Sequence, residues 1–300
     1  MIKEAKVSKS CVTPRSVILA LVLIPINAYW IIQAEYVRSS GQPILPTCIS
    51  LFFNVVCIIS ALVLLNALIR KIAPRLALTQ GELLAIYYML CIASFIAGEE
   101  IMQTLISLSG HAFWFATPEN EWQVFHRYLP EWLTVREKSV LEWVYESQTA
   151  GYLPEYIRSL SAWLPMIFAW SGFLTILVFV MYCINAILRR QWMDNERLSY
   201  PVVRLPLELV NDAGSLNFFG KKTVLAGMMV AAFVSLINGF SFLYPVIPSI
   251  PVKRLEIGHL FTIAPWNAIG RTYISFYPFV IGLGFLIPLH LSFSSLPHPS

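Results

Sequence analysis

Glu99 and Glu100 stand side by side behind Gly98, in the middle of an apolar run that extends from Leu83 to Phe115. Leu83 to Ala97 makes only about 22 Å of helix, too little to cross a bilayer core comfortably before the two acids interrupt it. If the chain crosses there as one broken helix, both carboxylates sit at membrane depth, where an unpaired charge costs about 3 kcal/mol or more. They must then face protein or water, and a glutamate so placed carries a proton or binds a cation, as acids do at the broken helices of secondary transporters. The competing expectation is a short tilted span ending at the outer interface, with both acids wet and Ile101 to Phe115 interfacial.

Asn27 and Glu35 are the other polar groups placed to line such a path, Asn27 within the run Val17 to Val37 and Glu35 near its outer end. Pro25 removes a backbone donor and frees a carbonyl near residue 21, which predicts a kink and gives Asn27 polar backbone within reach. The alternative use of Asn27 is a helix-to-helix hydrogen bond. Arg197, Tyr200 and Pro201 occupy an inner connection where a gate would form. His290 follows Pro288 by two residues and either packs or relays a proton. His111, His126, His259 and His298 have no ligand spacing, and the five cysteines are odd in number without metal-type spacing. No metal site and no cofactor is expected. Nucleophile elbow, phosphate-binding glycine loop and H-E-x-x-H helix are all missing from the sequence, so no catalytic residue is nominated.

The elements that must hold these groups follow from composition. Charged residues make up 13% of the 300 residues and hydrophobic ones 57%. A soluble domain carries roughly 25% charge, so this chain lacks the polar surface to face water. A mean hydropathy of +0.66 agrees. The lipid bilayer is therefore the first partner, and a net charge of +4, scattered along the chain, gives no footing for nucleic acid. Runs near 20 apolar residues predict about six spans: Val17 to Val37, Ile49 to Ile69, Leu83 to Phe115, Leu160 to Leu188, Val224 to Tyr244 and Tyr273 to Ser295. With the N-terminus inside, the inner segments hold thirteen of the 21 Lys and Arg residues and the outer ones eight, so both termini are expected in the cytoplasm.

The reading is a single membrane domain over residues 1–300, with a cytoplasmic N-terminus at 1–16, an outer aromatic loop at 118–159 and a cytoplasmic loop at 189–222. In the outer loop Val140, Leu141 and Val144 form a stripe at helical spacing, which predicts a helix lying on the membrane or capping the bundle. An aromatic belt and a lid over a pathway are the two uses open to it. In the inner loop Pro201 and Pro206, with alternating polar and apolar residues from Leu198 to Val210, predict an ordered amphipathic or re-entrant segment.

Several stretches resemble a family of large, uncharacterised bacterial polytopic membrane proteins that are distantly similar to the oligopeptide transporter superfamily. They are Arg15 with Asn27-Ala28-Tyr29-Trp30, Leu78-Thr79-Gln80-Gly81-Glu82-Leu83, Thr117-Pro118-Glu119-Asn120, Glu196-Arg197-Leu198-Ser199-Tyr200-Pro201 and Leu205-Pro206-Leu207-Glu208. The Leu-Ser-Tyr-Pro element looks like the Leu-Thr-Phe-Pro type element of those transporters. The Asn-Pro-Gly and Lys-Ile-Pro-Pro-Arg signatures of peptide-transporting members are absent, so peptide itself is the weaker substrate expectation. The resemblance covers the N-terminal half of proteins about twice this length, which implies a truncated half.

The expectation is an all-α, polytopic transmembrane helix bundle of about six spans with a discontinuous third span, in the bacterial inner membrane. It is expected to act as a secondary transporter-like protein for a small organic or peptide-like solute rather than as an enzyme, with oligomeric state open. The rivals are a membrane-embedded enzyme on lipid-linked substrates, using a carboxylate of the outer loop as general base, and a non-catalytic scaffold subunit.

Overall fold

The computed structural model describes residues 12–37, 47, 51–146, 153–195, 201–211, 217–244, 246–252, 255–261, 263, 266–274, 276–277 and 281–282. Helices dominate, in the order α1 (Pro14–Ile32), α2 (Phe53–Ile72), α3 (Gln80–Ala97), α4 (Thr104–Trp114), α5 (Gln123–His126), α6 (Lys138–Tyr145), α7 (Leu153–Arg190), α8 (Pro201–Val210), α9 (Asn217–Gly220) and α10 (Lys222–Leu243). Wider π-helical turns extend or link them at Gln33–Val37, Glu99–Gln103 and Gln191–Asn195. Among the described residues, five helical stretches are long and apolar enough to cross a membrane: Pro14–Glu35, Phe53–Ile72, Gln80–Trp114, Ser159–Asn195 and Lys222–Leu243. This is the all-α polytopic architecture read from hydropathy, and the third stretch is discontinuous as expected, because α3 stops before Gly98 and α4 begins at Thr104. Pro25 and Pro165 lie inside α1 and α7 without ending either helix.

The start of the expected sixth span differs. Tyr273–Ile274 form a short strand (β2) paired antiparallel with Leu255–Glu256 (β1). The Ile257 N–H donates to the Thr272 carbonyl at 2.8 Å. Gly270 adopts a φ of 66°, which a side chain would resist, and lets the chain turn back into the hairpin. Apolar content alone did not separate this hairpin from the run that follows it, most of which lies outside the described residues, His290 included.

The chain divides into two compact units, Met1–Leu19 with Val56–Tyr88 and Ser199–Ser300, and Ala20–Val55 with Met89–Leu198. In the first, α2 buries Ile59, Val63 and Ala67, one per helical turn, α3 buries Leu83 and Ile86, and α8 buries Leu209 and Val210. The inner-loop pattern thus becomes an ordered amphipathic helix from Pro201 on, while Leu198 to Tyr200 lie outside the described residues. Asn66 clamps the backbone of Leu78 from both sides, accepting from its N–H at 2.7 Å and donating to its carbonyl at 3.0 Å. Asn238 treats Ile250 in the same way, at 2.7 and 3.1 Å. No residue of α10 is buried, which suits a helix apolar all round in contact with lipid.

In the second unit, α1 and the π-helical turn that extends it present Ala20, Asn27, Ile31 and Glu35 on one buried face. A separate core gathers Phe113 of α4, Val135, Val140 and Leu141 of α6, and Trp163 and Met166 of α7. A Cβ on Gly110 would overlap the Leu141 side chain, so the glycine is what lets α6 lie against α4. His126 bonds the Ala112 carbonyl at 2.7 Å, and the Arg136 guanidinium sits 5.3 Å over the Phe113 ring. The segment after Thr117 is pinned as well, since Asn120 accepts from the Thr117 and Trp122 N–H groups at 3.0 and 3.2 Å. Val140 and Leu141 of the stripe therefore pack against α4 and α7, while Val144 is exposed.

Candidate functional site

Glu35 closes the buried face of α1, in the π-helical turn Gln33–Val37, and is 4% exposed. Its Oε1 accepts from the Thr47 N–H at 3.2 Å and the Thr47 hydroxyl at 2.6 Å. Its Oε2 accepts from Gln103 Nε2 at 2.8 Å. Gln103 ends the π-helical turn Glu99–Gln103 that breaks the third apolar stretch, and its Nε2 also donates to the carbonyl of Ala97, the last residue of α3, at 3.3 Å. Gly98 begins the break with ordinary extended backbone, but a Cβ there would run into the Thr47 side chain. The absence of a side chain at 98 is what lets Thr47 close over Glu35. All described partners of Glu35 are uncharged, and Gln103 Oε1 is buried without a hydrogen-bond partner.

A second polar group lies on α1, α2 and α3. Asn27 Nδ2 donates to Ser94 Oγ at 2.8 Å, and Asn54 Nδ2 donates to Asn27 Oδ1 at 2.7 Å and to Ser94 Oγ at 3.0 Å. All three side chains are fully buried, and Asn54 Oδ1 has no partner. Asn27 therefore makes the helix-to-helix bonds foreseen as its alternative use. Ties of this kind hold apolar helices together at membrane depth.

The first unit buries a carboxylate of another kind. Glu82, 1% exposed, is gripped by Arg15 through Nε at 2.5 Å and Nη2 at 2.6 Å. Thr13 donates its hydroxyl to the same carboxylate, and Thr79 donates its N–H at 2.8 Å and its hydroxyl at 3.0 Å. The Glu82 N–H returns a bond to the Thr79 hydroxyl at 3.3 Å. This is a capping box on the first turn of α3, with a guanidinium fork added.

Of the residues singled out from sequence, Asn27 and Glu35 belong to buried clusters. Glu99 and Glu100 sit at the helix break with exposed side chains. Arg197 and Tyr200 fall outside the described residues, and Pro201 opens α8. Thr47, Asn54, Ser94 and Gln103 were not singled out, and Arg15 and Glu82 were noted only in stretches that carry the family resemblance, not as a pair. A capping signature was legible in Thr79-x-x-Glu82, whereas a lone Asn, Ser or Gln in an apolar run carries no signal of its partner. The second unit also holds an apolar groove of about 290 Å³ lined by Met102, Ile106, Trp163, Met166, Trp170 and Leu174. A groove so lined receives hydrocarbon rather than charge.

Residues 6–296 match the model of a family of unknown function, DUF6785. The chain belongs to that family. DUF6785 membership agrees with the uncharacterised family expected from the sequence, and nothing in it carries the distant likeness to the oligopeptide transporter superfamily. No curated protein and no solved structure matches this DUF6785 chain.

Proposed function

We propose that the chain is a transporter-like protein of the bacterial inner membrane for a small organic or peptide-like solute, driven by a proton or cation carried at Glu35. One observation supports this above the others: a carboxylate on an apolar spanning stretch is almost wholly buried among uncharged donors. Structural acids at membrane depth are normally neutralised by a partner, and one left with neutral partners is suited to gain and lose an ion. Its place beside a broken helix fits, because such breaks are where secondary transporters bind coupling ions. In this reading Glu99 and Glu100 draw cations toward the break, and Arg197, Tyr200 and Pro201 shape the inner gate. The Lys and Arg count supports a cytoplasmic location for both termini. Peptide-like solutes are named among the substrates because the Leu-Ser-Tyr-Pro element of residues 198–201 resembles the Leu-Thr-Phe-Pro type element of oligopeptide transporters.

The test is reconstitution of the full chain in liposomes under an inward proton and sodium gradient, with a lumenal pH dye and radioactive sodium as reporters. Dipeptides and small organic acids are supplied outside as a pool. Solute-dependent ion entry is expected from the wild type and not from Glu35→Gln, with both proteins inserted equally. Ion entry identical in the two, or none with any pool member, would sink the reading.

A further inference from the structure

We infer that Glu35, Gln103 and Thr47 form a binding site for a monovalent alkali cation, of the size and charge of sodium. The inference rests on the proposed role of Glu35 and names the ion that it carries.

An unequal count of donors and acceptors carries the argument. An ionised carboxylate offers about four lone-pair directions, and Glu35 has three of them filled, by the Thr47 N–H, the Thr47 hydroxyl and Gln103 Nε2. Gln103 Oε1 adds a buried amide oxygen with no donor at all. Thr47 spends its only hydroxyl proton on Glu35, so the lone pairs of its Oγ1 also remain. The cluster is thus rich in oxygen and short of hydrogen. One proton on Glu35 would satisfy its own oxygen and one neighbour, leaving the rest of that surplus buried. A cation accepts from carboxylate, amide and hydroxyl oxygens together, and this all-oxygen set without sulfur or imidazole is the donor chemistry of a hard ion.

Charge selects among hard ions. A single carboxylate is neutralised by one positive charge, whereas a divalent ion would leave a net positive charge buried among uncharged groups, which is costly at low dielectric. Gly98 contributes by its lack of a side chain, because a Cβ there would push Thr47 away from the carboxylate.

Thermal unfolding of the purified full chain in detergent, followed by tryptophan fluorescence, tests this directly. Tm is measured against NaCl, with choline chloride holding ionic strength constant. A saturable rise in Tm is expected for the wild type, because an ion bound only by the folded state stabilises it by mass action. Glu35→Gln should abolish the rise. Gln103→Met should move the half-saturating concentration up by about tenfold, the effect of one lost neutral oxygen ligand. Thr47→Val should move it in the same direction, and these two variants carry the test should Glu35→Gln fold poorly. A wild type indifferent to NaCl overturns the inference. If proton-driven, Glu35-dependent solute entry persists in liposomes at the same time, Glu35 carries a bare proton and only the cation site falls. A larger rise with CaCl₂ than with NaCl also overturns it.

Discussion

Glu35 and Glu82 are both sealed from solvent, but they are held in different ways. Glu82 has a two-pronged guanidinium, two hydroxyls and a backbone N–H, which leave it fixed. Glu35 has an amide, a hydroxyl and a backbone N–H, and beside it an amide oxygen with no partner. The contrast separates an acid paired on every side from one whose described partners are all uncharged, the state that the proposed ion exchange needs. Full pairing spends the charge on architecture, whereas incomplete pairing keeps it available.

Removing Arg15 is the most damaging way to break this contrast. Arg15→Met strands the Glu82 charge in the interior, and the cost should be about 3 kcal/mol, the low end for a broken buried pair because Arg15 is itself 44% exposed. Denaturant unfolding in detergent would measure it, and a loss under ~1 kcal/mol would mean that water reaches Glu82. Glu82→Gln comes next, at about 2 kcal/mol, since the released Arg15 can turn to solvent while the charged bonds and part of the capping box are lost. Glu35→Gln should change stability in sodium-free buffer by less than ~1 kcal/mol in either direction, because a neutral amide of the same shape replaces a charge whose described partners are all uncharged. If it cost as much as Glu82→Gln, the two acids would be of one kind. Asn54→Leu should have the smallest effect, about 0.6 kcal/mol, because its two donor bonds are lost together with an unpartnered oxygen. Thermal unfolding of that variant beside wild type would resolve the sign.

Legibility in the sequence followed the reach of each signal. Spans, the break at Gly98 and the cap helix over Val140 and Leu141 were visible because hydropathy and helical periodicity act within twenty residues. The clusters were visible only by one member each. Asn27 and Glu35 stand out as polar letters in an apolar run, but Ser94 and Gln103 lie 67 and 68 residues further along, and only packing joins them. Glu99 and Glu100 drew notice by charge, yet in the turn they share with Gln103 their side chains are exposed and the glutamine makes the bond to Glu35. A π-helical turn does not keep the 3.6-residue phase on which facing residues are assigned, so that reversal had no marker in the letters. Tyr273 was misplaced for a related reason, since a strand of two residues has no period to detect.

The length of α7 has a mechanical consequence. Its 38 residues rise about 57 Å, nearly twice a hydrocarbon core, and about 40 Å of that rise lies between the packed region around Trp163 and the paired arginines 189 and 190. A rod of that span acts as a lever: tilting it by about 10° about the packed region sweeps the arginines through about 7 Å. A small rearrangement where the cap grips it would thus be magnified into a large excursion of its basic tip.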